Sequence, residues 1–210
     1  MYYAANNVNP NTQCIGTATS TTPTGPYTPQ GTSLACPASE GGAIDPAGFI
    51  DDDGTHWVVY KVDGNSLGGG GPCGNQDGSF STPIRLQRLA GDAITSVGDP
   101  VTILDRSPAD GPLIEAPSLI KRDGLYVISF SSNCFNTPLY DIGYATATSI
   151  TGPYTKAAQP LLLTGQYGLT APGGADLAPG GNFMVFHANI AAGRGMYTAQ
   201  LSWNESVAAV

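Results

Sequence analysis

Charge is what this chain has least of. Only 11% of its 210 residues are Asp, Glu, Lys or Arg, and just 8 of those are basic, leaving a net charge of −8. A phosphate backbone needs a Lys/Arg footprint, so nucleic acid is excluded as a partner. No apolar run reaches the roughly 18 residues of a membrane span, so no membrane partner is expected. Sustained helical periodicity is also missing. No CxxC or CxxH pair supports zinc. The glycines Gly68 to Gly71 are not followed by Gly-Lys-Ser/Thr, so they are a flexible loop and not a phosphate cradle. The opening "MYYAANNVNPNTQ" has no basic start and no long apolar stretch, so it is not read as a secretory leader.

What is plentiful is Gly (28), Pro (17) and Thr, which favours turns and short strands over helices. The length suits one domain with a sizeable core, expected to be a monomer. An acidic, polar cleft suits a neutral ligand such as a sugar. Four cysteines, Cys14, Cys36, Cys73 and Cys134, allow three pairings. Cys14 and Cys36 flank a hairpin-like stretch and are expected to pair, which leaves Cys73 with Cys134; the alternative is four free buried thiols. Low charge and an even cysteine count point to a secreted protein, in which Asn204-Glu205-Ser206 is a glycosylation acceptor.

The chain repeats itself. "AIDPAGFIDDDGTHWVVYK" (43–61) aligns without a gap to "LIEAPSLIKRDGLYVISFS" (113–131), with Asp45 against Glu115. Each copy has Ile-acid, an apolar run, an Asp-Gly turn and a β-branched, aromatic run. "GTATSTTPTGPYT" (16–28) likewise resembles "GYATATSITGPYT" (143–155), and "GGNFMVFHA" (180–188) repeats the turn and second strand. "MYYAAN" reads as that second strand again. Each unit fits four strands, and a four-stranded unit of about 40–70 residues indicates a propeller blade. A β-sandwich is the runner-up. In a propeller the first strand of each blade lines the central channel, so Asp45 and Glu115 are expected to face one pocket. Paired carboxylates across a sugar-sized gap are the equipment of glycoside hydrolysis.

At "IDPAGFIDDDGTHWVVYK", "IEAPSLIKRDGLYVISFS" and "APGGADLAPGGNFMVFHANIAAGRGMY" the chain resembles glycoside hydrolase family 43. This is the group of five-bladed β-propeller arabinanases, xylosidases and arabinofuranosidases. The resemblance implies an all-β five-bladed propeller. It puts the remainder of blade two at about 1–40, blade three at 41–110, blade four at 111–168 and blade five at 169–210. It implies an inverting glycosidase acting on arabinose- or xylose-containing polysaccharides or oligosaccharides. Glu115 then matches the general acid and Asp45 the acid that orients it and tunes its pKa. Arg194 matches an arginine that reaches the substrate. His187 matches a histidine near the channel axis that in some relatives helps hold a metal ion such as calcium; no cofactor is otherwise required. The family's general base belongs to a strand ahead of "MYYAAN". The first blade and the opening strand of the second are therefore expected to lie outside this sequence. Relatives often carry His after the Pro-Gly of "APGGADL", where Gly173-Gly174 stand here.

Other acids have plainer readings. Asp51-Asp52-Asp53-Gly54 lacks the spaced ligands of a calcium loop and reads as a solvated turn. Asp176 falls near the channel. Phe49, Trp57, Tyr126 and Phe186 read as core. Two further functions are set beside hydrolysis: a propeller that binds carbohydrate without cleaving it, and one that serves only as an interaction scaffold.

Overall fold

A computed structural model describes residues 1–8, 11–75 and 78–210. Among these there is no α-helix, only strands and short 3-10 turns. The first sheet holds β1 (Tyr2–Val8), β2 (Asn11–Thr19) and β3 (Thr28–Pro29). The second holds β4 (Ala43–Ile50), β5 (His56–Val62), β6 (Ile84–Leu89) and β7 (Val101–Leu104). The third holds β8 (Ile114–Arg122), β9 (Leu125–Ser132), β10 (Asp141–Ala147) and β11 (Thr155–Lys156). The fourth holds β12 (Gly173–Leu177), β13 (Phe183–Ile190) and β14 (Gly193–Gln200). A small hairpin of β15 (Ser202–Asn204) and β16 (Val207–Ala209) follows. Within each sheet the strands run in sequence order and antiparallel.

Runs such as "WVVY" and "YVISF" form strands because β-branched and aromatic side chains suit a pleated surface buried on both faces. Neighbours therefore point into different cores. Val58, Tyr60 and Val62 join Ile15 between the first and second sheets. Val59 joins Leu86, Leu119, Ile128 and Phe130 between the second and third. Ile120 and Val127 join Ile142, Met184 and Phe186 between the third and fourth. Phe49 and Trp57 pack against the middle core, and Tyr126 and Phe186 are buried, as expected of core residues. Each fully buried Val or Leu contributes about 1.5–3 kcal/mol.

Three successive cores between four sheets rule out a sandwich, which has two sheets around one core. The first strands of the sheets also sit side by side, β4 against β8 and β8 against β12. That is the radial arrangement of a β-propeller.

The shorter repeat is matched atom for atom. Tyr27 Oη donates to Pro23 O at 2.9 Å, and Tyr154 Oη donates to Ile150 O at 3.1 Å. Gly25 N donates to Thr22 O, and Gly152 N to Ser149 O. Both turns lead from a long strand, β2 or β10, into a two-residue outer strand. Both expected disulfides, Cys14–Cys36 and Cys73–Cys134, are formed. The second ties the segment after the Gly-rich loop to the turn that follows β9.

The longer repeat needs a correction. Each of β4, β8 and β12 carries a one-residue bulge near its start, between Ile44 and Ala47, Glu115 and Ser118, and Gly173 and Asp176. The residue that turns each bulge has positive φ: Asp45 at 54°, Ala116 at 52° and Gly174 at 60°. Asp45 is thus equivalent to Ala116, 71 residues on, and Glu115 is equivalent to Ile44. The second strands keep the offset of 70, since Val58 and Ile128, like Tyr60 and Phe130, occupy matching core positions. The hairpin of β8 and β9 is one residue shorter, and a gapless alignment hides that difference. The two acids are neighbours around a bulge, not occupants of one repeated position.

Candidate active site

The bulges place three stretches around one mouth. Asp45 to Gly48, Ala116 to Ser118 and Gly174 to Asp176 line a depression of about 330 Å3. Three larger depressions, of about 470, 570 and 410 Å3, lie elsewhere among the described residues. The first carries one carboxylate side chain, Asp92, the second none and the third one, Glu205, so none offers paired acid side chains.

Asp45 holds left-handed backbone, a conformation that costs a non-glycine residue about 1 kcal/mol or more. Asp tolerates it better than most side chains. Its Oδ2 accepts the Ala116 amide at 2.9 Å, across to the next sheet. Burial, and then the negative charge of Glu115, hold the Asp45 carboxyl above the usual carboxylate range. Lys61 and the Ala116 amide pull the other way without cancelling this.

Glu115 lies beside this rim, with 14% of its side chain exposed. Its Oε1 accepts Tyr140 Oη at 2.7 Å, and its Oε2 accepts Lys61 Nζ at 3.1 Å. Lys61 is buried to 1% exposure and also pairs with Asp63 at 3.2 Å. Burial, and then Glu115, push the Tyr140 hydroxyl far above its ordinary range, so it stays a donor. The Tyr140 ring stacks on His187 at 6.3 Å, with the Arg194 guanidinium 5.4 Å from its centre.

Arg194 spends its donors inside the protein. Nε donates to His187 Nδ1 at 2.5 Å, and the terminal nitrogens donate to Asn189 Oδ1 and Ala171 O, each at 2.7 Å. Burial, and then Arg194, lower the His187 pKa, which keeps the imidazole neutral and able to accept that bond. One ring nitrogen is taken by a cation, and among the described residues no three His, Cys, Asp or Glu side chains stand together.

The Gly173-Gly174 departure has a steric account. A Cβ on Gly173 would overlap the Tyr140 ring, and one on Gly174 would overlap His187 Nε2. Gly174 also donates its amide to Ser131 Oγ at 2.8 Å. Asp176, on the rim, accepts Ser118 Oγ at 2.7 Å. Asp51 is not simply solvated at its turn, because it accepts Tyr126 Oη at 2.6 Å and Lys121 Nζ at 3.0 Å from the next sheet.

The structure therefore brings Asp45 and Glu115 together, and links Glu115 through Tyr140 to His187 and Arg194. Sequence reasoning missed Lys61 and Tyr140. Lys61 had a signal, as a lone cation inside the strand "HWVVYKV". Tyr140 had none, because only the folded chain brings its loop to Glu115.

Two carboxylates from neighbouring sheets at the mouth of a propeller are the setting in which a glycosidase comparison carries weight. A profile of the glycosyl hydrolases family 43 matches residues 1–206. The chain belongs to glycosyl hydrolase family 43. It is 30% identical over 201 residues to an extracellular endo-alpha-(1->5)-L-arabinanase of Bacillus subtilis (strain 168), covering 90% of this chain and 56% of that one. An arabinoxylan arabinofuranohydrolase of the same organism is 34% identical over 157 residues, covering 67% of this chain and 28% of that one. The crystal structure of a thermostable family-43 glycoside hydrolase superposes with a TM-score of 0.79 at 27% identity, covering all of this chain and 69% of its own. This family-43 chain thus spans about half or less of the length of the two curated relatives. Among the described residues no helix is long and apolar enough to cross a membrane.

Proposed function

We propose that this family-43 chain works as a secreted glycosidase on arabinose- or xylose-containing polysaccharides, with inversion at the anomeric carbon. The observation that carries the reading is that Asp45, which lines the polar mouth, bonds to the Ala116 amide of the next sheet and feels the charge of the adjoining Glu115. Arabinanase and arabinofuranohydrolase relatives support the substrate class. In this reading the four radial sheets are successive blades, the second to the fifth, of a five-bladed ring.

Glu115 gives its proton to the leaving glycosidic oxygen as the bond to the anomeric carbon breaks. Asp45, fixed by the Ala116 amide, orients Glu115 and favours its protonated form by charge repulsion. A base carboxylate about 6.5–9.5 Å from the acid deprotonates a water that attacks the opposite face. We assign that base to none of the described residues. Arg194 and His187 contribute through Tyr140, against which both are packed.

A second reading is a propeller that binds sugar without cleaving it. Its support is that the Glu115 oxygens are already engaged by Tyr140 and Lys61. Incubation with arabinan, arabinoxylan and xylan, with NMR of the first-formed anomer, separates the two. Hydrolysis with an inverted anomer, lost by about 100-fold or more in Glu115→Gln, is expected for a general acid. Tight binding with no released sugar favours the second reading.

A further inference from the structure

Among the described residues Lys61 is the one charged side chain in the set of largest fully buried ones, and burying an ammonium is costly unless it is paired. The fold does not need a cation there. Lys61 pairs with Ile44, Ser131 with Glu115 and His187 with Gly173, so the three are equivalent second-strand positions. The third sheet folds with a serine at this level and the fourth with an imidazole. Ser131 reaches over to the next sheet at Gly174 N, as Lys61 reaches over to Glu115 in the sheet that follows its own. What distinguishes the Lys61 position is its target, a carboxylate, and the ammonium is shared with a second one, Asp63.

We propose that Lys61 is the positioning residue of the proton donor: its buried ammonium fixes the Glu115 carboxyl and sets the upper pH limit of proton transfer, with Asp63 moderating its charge. The proposal rests on Glu115 being that donor. The titratable and charged groups facing Glu115 are Lys61 from β5, Asp63 just beyond it, Asp45 from β4, Tyr140 from the loop before β10, His187 from β13 and Arg194 from β14. Of these cations only Lys61 touches the carboxylate directly, at 3.1 Å. A nearby positive charge favours the ionised carboxylate, so its removal extends the protonated form to higher pH.

The test compares the native chain with Lys61→Met, Lys61→Arg, Asp63→Asn and Glu115→Gln on two substrates. One is an arabino- or xylo-oligosaccharide, whose leaving alcohol needs a proton. The other is the 4-nitrophenyl glycoside, whose leaving phenolate does not. Lys61→Met is expected to lose about 100-fold in kcat on the oligosaccharide and less than about 10-fold on the nitrophenyl glycoside. The alkaline limb of its kcat/KM profile moves to higher pH, and Lys61→Arg restores most of the loss. Asp63→Asn moves the limb the opposite way, because the ammonium then acts on Glu115 alone. Equal losses on both substrates with unmoved limbs overturn the proposal. If Glu115→Gln cleaves the oligosaccharide at the native rate, the donor reading has failed, and the proposal with it, whatever Lys61→Met does. A 13C NMR titration of the glutamate carboxyl signals, assigned by the signal missing in Glu115→Gln, gives the readout without turnover. The Glu115 signal is expected to titrate higher in Lys61→Met and lower in Asp63→Asn, and no displacement in either overturns the proposal.

Discussion

The Ala116 amide and the Asp45 carboxylate, 71 residues apart, meet at 2.9 Å across neighbouring sheets. Both residues turn the bulge of their own strand, so one bulge is bonded to the next. Asp45→Asn keeps an oxygen to accept this bond and removes the charge beside Glu115. The variant is expected to melt within about 1 kcal/mol of native stability. Its kcat on an oligosaccharide should fall about 10- to 100-fold. Its alkaline limb should move to lower pH, because the repulsion that favours the protonated donor is gone. An unmoved limb on a stable variant would count against the tuning role.

Gly173 leaves room for the Tyr140 ring, and Tyr140 donates to Glu115 at 2.7 Å. Gly173→Ala is expected to push the ring away, costing about 1–3 kcal/mol of stability as overpacking does. Oligosaccharide cleavage should drop about 10-fold, close to the energy of one hydrogen bond to a charged group. Tyr140→Phe should give a similar loss. Combined in one chain, the two changes should lose less than the sum of the separate effects, because both act on one contact. Full additivity in a double-mutant cycle would show that they act separately.

Asp141, at the start of β10, is buried and accepts Ser132 Oγ at 2.6 Å. Burial pushes its carboxyl up to about 6, against about 3.9 in an unfolded chain. The folded state therefore holds a proton that the unfolded state has released between those values. The stability this confers is complete below about pH 4 and lost as pH rises through about 6. Asp141→Asn keeps the acceptor and has no charge to bury. Thermal melts should coincide at pH 4, and the variant should be the more stable at pH 7.5. A variant less stable at pH 7.5 would contradict this.

The sheets were legible because they rest on local patterns. Runs rich in β-branched and aromatic residues mark strands, Asp-Gly marks turns, and a repeated unit sets the blade. The register was not legible. Aligning Asp53-Gly54 with Asp123-Gly124 superposes the second strands correctly and leaves the first strands one residue out. Nothing in "AIDPAGF" or "LIEAPSL" announces a bulge, which is defined by the pairing partner. Lys61 could have been singled out as a charge within an apolar strand. Tyr140 could not, since its role depends on a loop closing over β8 and on two glycines 33 and 34 residues later in the chain.

The bulge that recurs in β4, β8 and β12 separates chemistry from architecture. Below it, alternate side chains belong to the cores, and a change there is felt by two sheets. At its level, lysine, serine and histidine occupy matching sockets, as do isoleucine, glutamate and glycine on the strand opposite. A residue in this ring is read by what faces it across the mouth rather than by its own sheet. The ring can be rewritten one socket at a time while the layers beneath it stay as they are.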